Sequence, residues 1–316
     1  MAAPNSNYAN ALLATTFDNF SPKLYDNVFQ STPTWQWFKN HQDTASGGSV
    51  ILEHLLYSKG TNAQSFTKGA EFAVVDTDPV TPAQFSRVNY GTAIPIYKQD
   101  LMDNSGPAQM LNLAKIKMQQ AELDLKDLLA TDLWAASAVT GKVLPLPVAI
   151  DTTSTVGNLN STTYSWWQAN VDSTVEAVNT DDMVTQYNNC NKGTGGAFPT
   201  FGPCGQTFFE GYERLGGLAL RLSDGDRARL NLGFTGMWFK DMVLAFDPYM
   251  TTGECYMLNE KFIVWRPEGE CANRWIHEQQ AKADTPGLTL HLIWGRGAIT
   301  VRRRASLAKI TGKTAP

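Results

Sequence analysis

The sequence predicts a mixed α+β fold with long extended segments outside its core, and three observations carry that prediction. Two strand-like runs bracket a polar passage between residues 49 and 97, and one helical period runs unbroken from 106 to 136. Short helices then alternate with strand-like runs to the end of the chain. A length of 316 residues gives room for one large domain or two modest ones. Charged residues make up 18%, below the roughly 25% of an ordinary soluble domain. Such a surface is expected to meet other protein over much of its area.

Residues 1–47 are polar, with short apolar clusters. "FSPKLYDNVF" reads as a short helix with Ser21 as its cap, Pro22 at the first position, and Leu24, Tyr25, Val28 and Phe29 on one side. "TPTWQWF" adds Trp35 and Trp37, which so short a segment cannot bury by itself. After "SGGS" at 46–49, the runs "VILEHLLYS" and "AQFSRVNYGTAIPIY" form a long hairpin over 49–97 around a polar, Gly- and Thr-rich tip. A lone two-stranded hairpin is marginal in water and its edges need partners.

"GPAQMLNLAKIKMQQAELDLKDLLATDLWAA", 106–136, is the clearest element. Pro107 stands near its first turn, and Leu111, Ala114, Met118, Ala121, Leu125 and Leu128 fall on one helix face. At about 1.5 Å per residue the helix is roughly 40 Å long. Leu113, Ile116 and Leu123 add a second apolar strip. A coiled coil is the competing reading, but the flanks lack paired charges. A loop-rich connection then leads to Trp166 and Trp167, neighbours that cannot share one face. "TDDMVTQYNNCNKG", capped by Thr180, and "GQTFFEGYERLGG" read as short helices of an α/β unit. "GMWFKDMVLAFDPYM" and "GECYMLNEKFIVWRP" read as strands, and "GLTLHLIWGRGAITVRRRASLAKITG" as a last pair of long strands.

The residue types argue against most chemistries. A net charge of −4 excludes a dominant electrostatic grip on nucleic acid. Cys190, Cys204, Cys255 and Cys271 are widely spaced without a CxxC pair, so free buried thiols are expected instead of a zinc site. "HEQQA" at 277–281 puts Ala281 where a zinc helix needs its second histidine. "NKGTGGAF" lacks the lysine and hydroxyl of a phosphate loop, and "DGDRARLNLG" at 224–233 lacks the glycine and glutamate of a calcium loop. His41, His54, His277 and His291 stand in different elements. No catalytic residue, metal or cofactor is expected. "MAAPNSNYAN" has no signal-peptide pattern, and no stretch is apolar enough for a membrane span. "RRRAS", with Arg302, Arg303 and Arg304, reads as a solvated strand end, as interchain salt bridges, or as a DNA-facing patch.

The order of parts resembles the major capsid protein of tailed bacteriophages, of the Hong Kong 97 type. "GGSVILEHLLY" at 47–57 is similar to the opening of that family's extended loop (E-loop), and "VDTDPVTPAQFSRVNYGTAIPIYKQDLMDNSGPAQMLNLAKIKMQQAELDLKDLLATDL" to its return strand and spine helix. "WWQANVD" resembles the approach to the axial domain, and "MWFKDMVLAFDPYMTTGECYMLNEKFIVW" the strands that close it. The resemblance implies an N-terminal arm over 1–47, an E-loop over 48–98, a peripheral domain with the spine helix over 99–160, an axial domain over 161–265, and closing peripheral strands over 266–316.

It also implies a shell protein of the virion, assembled in the host cytoplasm as hexamers and pentamers around double-stranded DNA that is bound without sequence specificity. Portal and scaffolding proteins, with or without a decoration protein, would be the partners, and no membrane is involved. An internal scaffolding domain is expected to be absent or removed. Subunit contacts are expected at Trp35, Trp37, Lys59, Lys68, Phe72, Trp166, Trp167, Arg302, Arg303 and Arg304. Some capsids of this type cross-link an E-loop lysine to a neighbour's asparagine; Lys59 or Lys68 with Asn273 would be the counterparts, and plain solvated lysines are the other reading. Trp166 and Trp167 would anchor the axial domain to the peripheral domain or to a neighbour, with a ring-stacking site as the alternative. An encapsulin-like compartment shell and a carbohydrate-binding protein are the rival functions.

Overall fold

A computed structural model describes residues 32–72, 74–103, 113–192, 197–215, 236–269, 276–281 and 288–314. The expected helix over 20–29, the passage 224–233, Cys271, Asn273 and the start of the long helix at 106–112 lie outside these residues.

The first described element is a helix, α1 (Pro33–Asn40), started by Pro33 in its first turn. It buries Trp35, Trp37 and Phe38. β1 (Val50–Leu56) and β2 (Val80–Ser86) pair antiparallel, with Val50 opposite Ser86 and Leu56 opposite Val80. The hairpin expected over 49–97 is therefore shorter. Its second run breaks at Arg87, and β3 (Val88–Tyr97) leaves to pair with a strand near the end of the chain. The split follows from the side chains, because Val88, Tyr90, Ile94 and Ile96 are buried in the body of the protein.

A short helix, α2 (Lys98–Asp103), precedes α3 (Leu113–Leu133), the described part of the long helix. Its buried stripe runs Ala121, Leu125, Leu129, Leu133, with Met118 packed partly against it. Leu128, expected on this face, is 41% exposed. Successive steps of four keep the stripe on one line of contact, and Leu128 lies a turn's edge away from it. α4 (Leu146–Ala149) and the tight hairpin β4 (Thr155–Val156) and β5 (Leu159–Asn160) follow.

Two sheets organise the rest. The six-stranded sheet runs β6–β15–β11–β8–β10–β9, from β6 (Asn170–Asp172), β8 (Phe201–Cys204), β9 (Gly236–Phe239), β10 (Met242–Phe246), β11 (Cys255–Met257) and β15 (Ala308–Ile310). Its central strands are buried on both faces, which is why they read as continuous apolar runs. Met242, Leu244, Cys255 and Met257 pack with α5 (Thr180–Cys190) and α6 (Gln206–Arg214). Val243, Ala245 and Tyr256 face the larger core that holds α1 and α3. The cap of α5 is Asn179, not Thr180: its side chain accepts from the Asp182 amide across 2.8 Å.

The second sheet is built on β14 (Leu288–Val301), flanked over its first half by β13 (Ile276–Ala281) and β3, with β12 (Ile263–Pro267) along its second half. The expected pair of long closing strands is thus one long strand, and residues 308–310 cross back to the six-stranded sheet. The "HEQQA" segment lies in β13, a strand. The last strand, β16 (Lys313–Thr314), pairs parallel with β7 (Glu176–Ala177). Among the described residues no helix is long and apolar enough to cross a membrane.

Candidate functional site: an assembly surface

The hairpin leaves the body through a root fixed at three points. Arg87, at the break between β2 and β3, is paired with Glu268 and donates to the carbonyl of Ala45 across 2.8 Å; Glu268 in turn accepts from the Gly47 amide. Glu53 is buried on β1 and is held by Arg266 at 3.0 Å and Arg302 at 3.4 Å, and both arginines also reach Asp43. The third point is the turn joining β4 to β5. Gly157 and Asn158 both have φ of 63°, the left-handed pair that a two-residue hairpin turn requires. The Gly157 carbonyl accepts from the Gln84 amide, and a Cβ at Gly157 would stand 2.8 Å from that of Ala83. Only glycine lets the turn close on the hairpin so tightly.

Above the root the hairpin has two faces. Ile51, Glu53, Leu55, Ala83 and Phe85 face the body and are buried. Val50, Leu52, Leu56 and Val80 point the other way and are exposed, Leu56 to 75%. These four residues were not anticipated, although "VILEHLL" carries apolar residues at both phases of a strand, the pattern of a sheet covered on two sides.

The described residues of the tip, 57–72 and 74–79, form no regular strand, yet side chains bond them to one another. The Asn62 side chain makes two bonds of 2.8 Å with the backbone of Val75, standing in for a strand partner, and the Gln64 amide donates to the Glu71 carbonyl. Phe66 and Phe72 pack ring on ring at 4.8 Å while both remain exposed, as do Val74, Val75, Lys59 and Lys68.

Several expected contact residues are consumed inside the chain. Trp37 stacks on Phe201 at 5.1 Å and Trp35 packs edge-on against Trp265 at 5.0 Å, so neither is offered to a partner. Trp167 is buried, donating its indole N–H to the Val156 carbonyl, whereas Trp166 is half-buried and lies 5.8 Å from the Tyr57 ring at the start of the hairpin tip. Trp167 therefore ties into β4 while Trp166 reaches the hairpin, and three of these four indoles are buried.

In the arginine run Arg304 is fully buried, while Arg302 and Arg303 are half-buried. Arg302 joins the root cluster, and Arg303 donates to the Lys192 carbonyl. Arg304 is fully buried, donating to the carbonyls of Ala149 and Asp151 at 2.8 and 2.6 Å and to Ser154 and Ser161. Burial pulls its pKa down to about 10, partly offset by Asp151, so it stays charged at neutral pH. Adjacent arginines diverge here because the chain turns sharply after β14.

The sequence matches no protein-family profile and no curated protein. Solved structures give a different result. The capsid asymmetric unit of cyanophage A-1(L) is 13% identical and superposes with a TM-score of 0.74 over 94% of this chain and 97% of that one. The capsid of Myoviridae phage XM1 is 10% identical, with a TM-score of 0.58 over 93% and 96%. This chain has the fold of tailed-phage capsid proteins. The same capsid fold is shared with the SrpI encapsulin of Synechococcus elongatus PCC 7942, 10% identical with a TM-score of 0.62 over 97% and 95%. In each case the capsid fold extends over nearly the whole of both chains.

Proposed function

We propose that this chain is the major capsid protein of a tailed bacteriophage, a non-enzymatic building block that self-assembles through hexamers and pentamers into an icosahedral shell around double-stranded DNA. In this reading β1, β2and the tip are the E-loop, α3 is the spine helix, the six-stranded sheet with α5 and α6 is the axial domain, and the β14 sheet belongs to the peripheral domain. The observation that carries it is the hairpin: an arm fixed at its root whose outer face and tip display Leu52, Leu56, Phe66 and Phe72 to solvent. Exposed apolar surface on this scale is stable only when covered, and obligate interfaces supply such cover. Trp166, Lys59, Lys68, Phe72, Arg302 and Arg303 remain the proposed contacts from the expected set. Portal and scaffolding proteins, with or without a decoration protein, are the further partners of this role.

The direct test is microscopy and size-exclusion chromatography of the expressed protein, where closed shells or capsomers are expected. A monodisperse monomer across a wide range of salt and concentration would overturn the proposal. The likeness to an encapsulin supports a second reading, a protein compartment. Particles filled with a protein cargo instead of packaged DNA would favour it.

A further inference from the structure

Cys204 closes β8 and Cys255 opens β11, and the two stand opposite each other where these antiparallel strands meet. Their sulfurs are 3.3 Å apart and both side chains are fully buried. Directly opposed residues of an antiparallel pair have Cα atoms about 4.5–5.5 Å apart, within the roughly 4.4–6.8 Å that a disulfide spans. Closure needs the sulfurs to approach by about 1.3 Å, to a bond of about 2.0 Å, with the strands left in register.

The seam they cross joins β8 and β11, the two central strands of the six-stranded sheet. β10 opposes β8 along its whole length, from Phe201 to Cys204, and β11 opposes it at this cysteine pair and at the bridge from Phe201 to Leu258, with the Gly205 amide donating to the Glu254 carbonyl beside the pair. Between the cysteines the chain leaves through α6 and returns through β9 and β10, so a link here would close an excursion of 51 residues.

We propose that Cys204 and Cys255 are a disulfide-forming pair, kept as thiols in a reducing compartment and closed by a small oxidant such as hydrogen peroxide, and that closure pins this seam. One thiolate attacks the peroxide, giving a sulfenic acid and hydroxide. The second thiol then displaces the sulfenic oxygen, which leaves as water. In sum, two thiols and one peroxide give one S–S bond and two waters. Peroxide is uncharged and little larger than water, so a brief local opening admits it. Burial pushes the Cys204 thiol well above its ordinary range, which keeps thiolate scarce and makes closure faster as pH rises.

Full-length protein, purified reduced, would be treated with peroxide, quenched with catalase and unfolded in excess iodoacetamide. The expected result is loss of two alkylation sites, a cross-linked peptide joining Cys204 to Cys255, and a Tm higher by roughly 4 °C or more, all reversed by dithiothreitol. The Cys204→Ser and Cys255→Ala variants should keep their remaining alkylation sites and show no rise; peptide mapping of the parent protein stands even if a variant fails to fold. Full alkylation after peroxide, oxidation that stops at sulfenic or sulfinic acid, or a link through Cys190 or Cys271 would each overturn the pair. A cross-link without a rise in Tm would overturn its role at the seam.

Discussion

The guanidinium of Arg304 donates to the carbonyl of Ala149 across 2.8 Å, joining positions 155 residues apart. Together with its bonds to Asp151, Ser154 and Ser161, this makes Arg304 the pin between the connection after α4 and the end of the chain. Arg304→Lys keeps the charge but replaces a planar fork with a single point, so most of these acceptors lose their donor. The expected loss is about 2–4 kcal/mol, read as a fall in Tm. An unchanged Tm would mean that water or a neighbouring group takes over the acceptors.

The two leucines of α3 separate folding from contact. Leu125 is 1% exposed, so Leu125→Asp buries an unpaired carboxylate, should cost several kcal/mol (about 3–5) and should give insoluble protein. Leu128→Asp should fold normally, with a change within about 0.5 kcal/mol. Soluble, folded Leu125→Asp protein would show the buried stripe to be wrongly placed.

Shortening the hairpin tip, residues 58–78, should leave the cores intact, since their buried side chains come from elsewhere. Loop length changes closure entropy only logarithmically. Circular dichroism and thermal unfolding should match the parent, while closed shells should be lost in microscopy. Normal shells would make the tip dispensable, and global unfolding would place it in the core.

Lys313 predicts a pH dependence at both extremes. Burial works against its charge, but bonds to Asp182 at 2.6 Å, Glu176 at 3.0 Å and Asp172 at 3.2 Å outweigh this and hold its pKa above the ordinary lysine range. Burial likewise opposes the Asp182 carboxylate, and the bonds from Lys313 and Asn179 still bring it below the usual range. The lysine's contribution is complete below the ordinary value of about 10.4 and fades as pH rises through its folded pKa. The carboxylate's is complete above about 4 and fades as pH falls through its folded pKa. The β7–β16 pairing should therefore loosen in strong acid and strong alkali. Amide hydrogen exchange at Val178, whose N–H is bonded to the Thr314 carbonyl, would report it after correction for intrinsic rates. Lys313→Met should exchange fast throughout, and a flat profile in the parent would contradict the coupling.

Much of the architecture was legible because it rests on local pattern. The period of α3, the apolar runs of β10 and β12 and the helices around the sheet all follow from spacing and residue type. What could not be read depends on which distant segment covers a side chain. "AQFSRVNYGTAIPIY" looks like one strand, yet β2 pairs with its neighbour and β3 with residues 288–297. Trp35 and Trp37 announce burial, but nothing in their spacing says whether the cover is this chain or another copy. Leu128 fits the helical period as well as Leu129 does, and only the packed neighbours decide between them. Arg302, Arg303 and Arg304 read as a patch because they are adjacent, and the turn after β14 sends each to a different partner.

The pairing of β3 with β14 sets an order of events in biosynthesis. Residues 88–97 emerge roughly 200 residues before the strand they pair with, and at about 5–20 residues per second that is a wait of roughly 10–40 s. Through this interval β3 lacks its antiparallel partner, and until residues 266, 268 and 302 follow, the root contacts of Glu53 and Arg87 with Arg266, Glu268 and Arg302 are also unmade. A nascent chain thus carries its hairpin long before it can aim it. Truncated products that stop short of residue 288 would lack a fixed arm, and only chains translated past that point can present it in a defined direction.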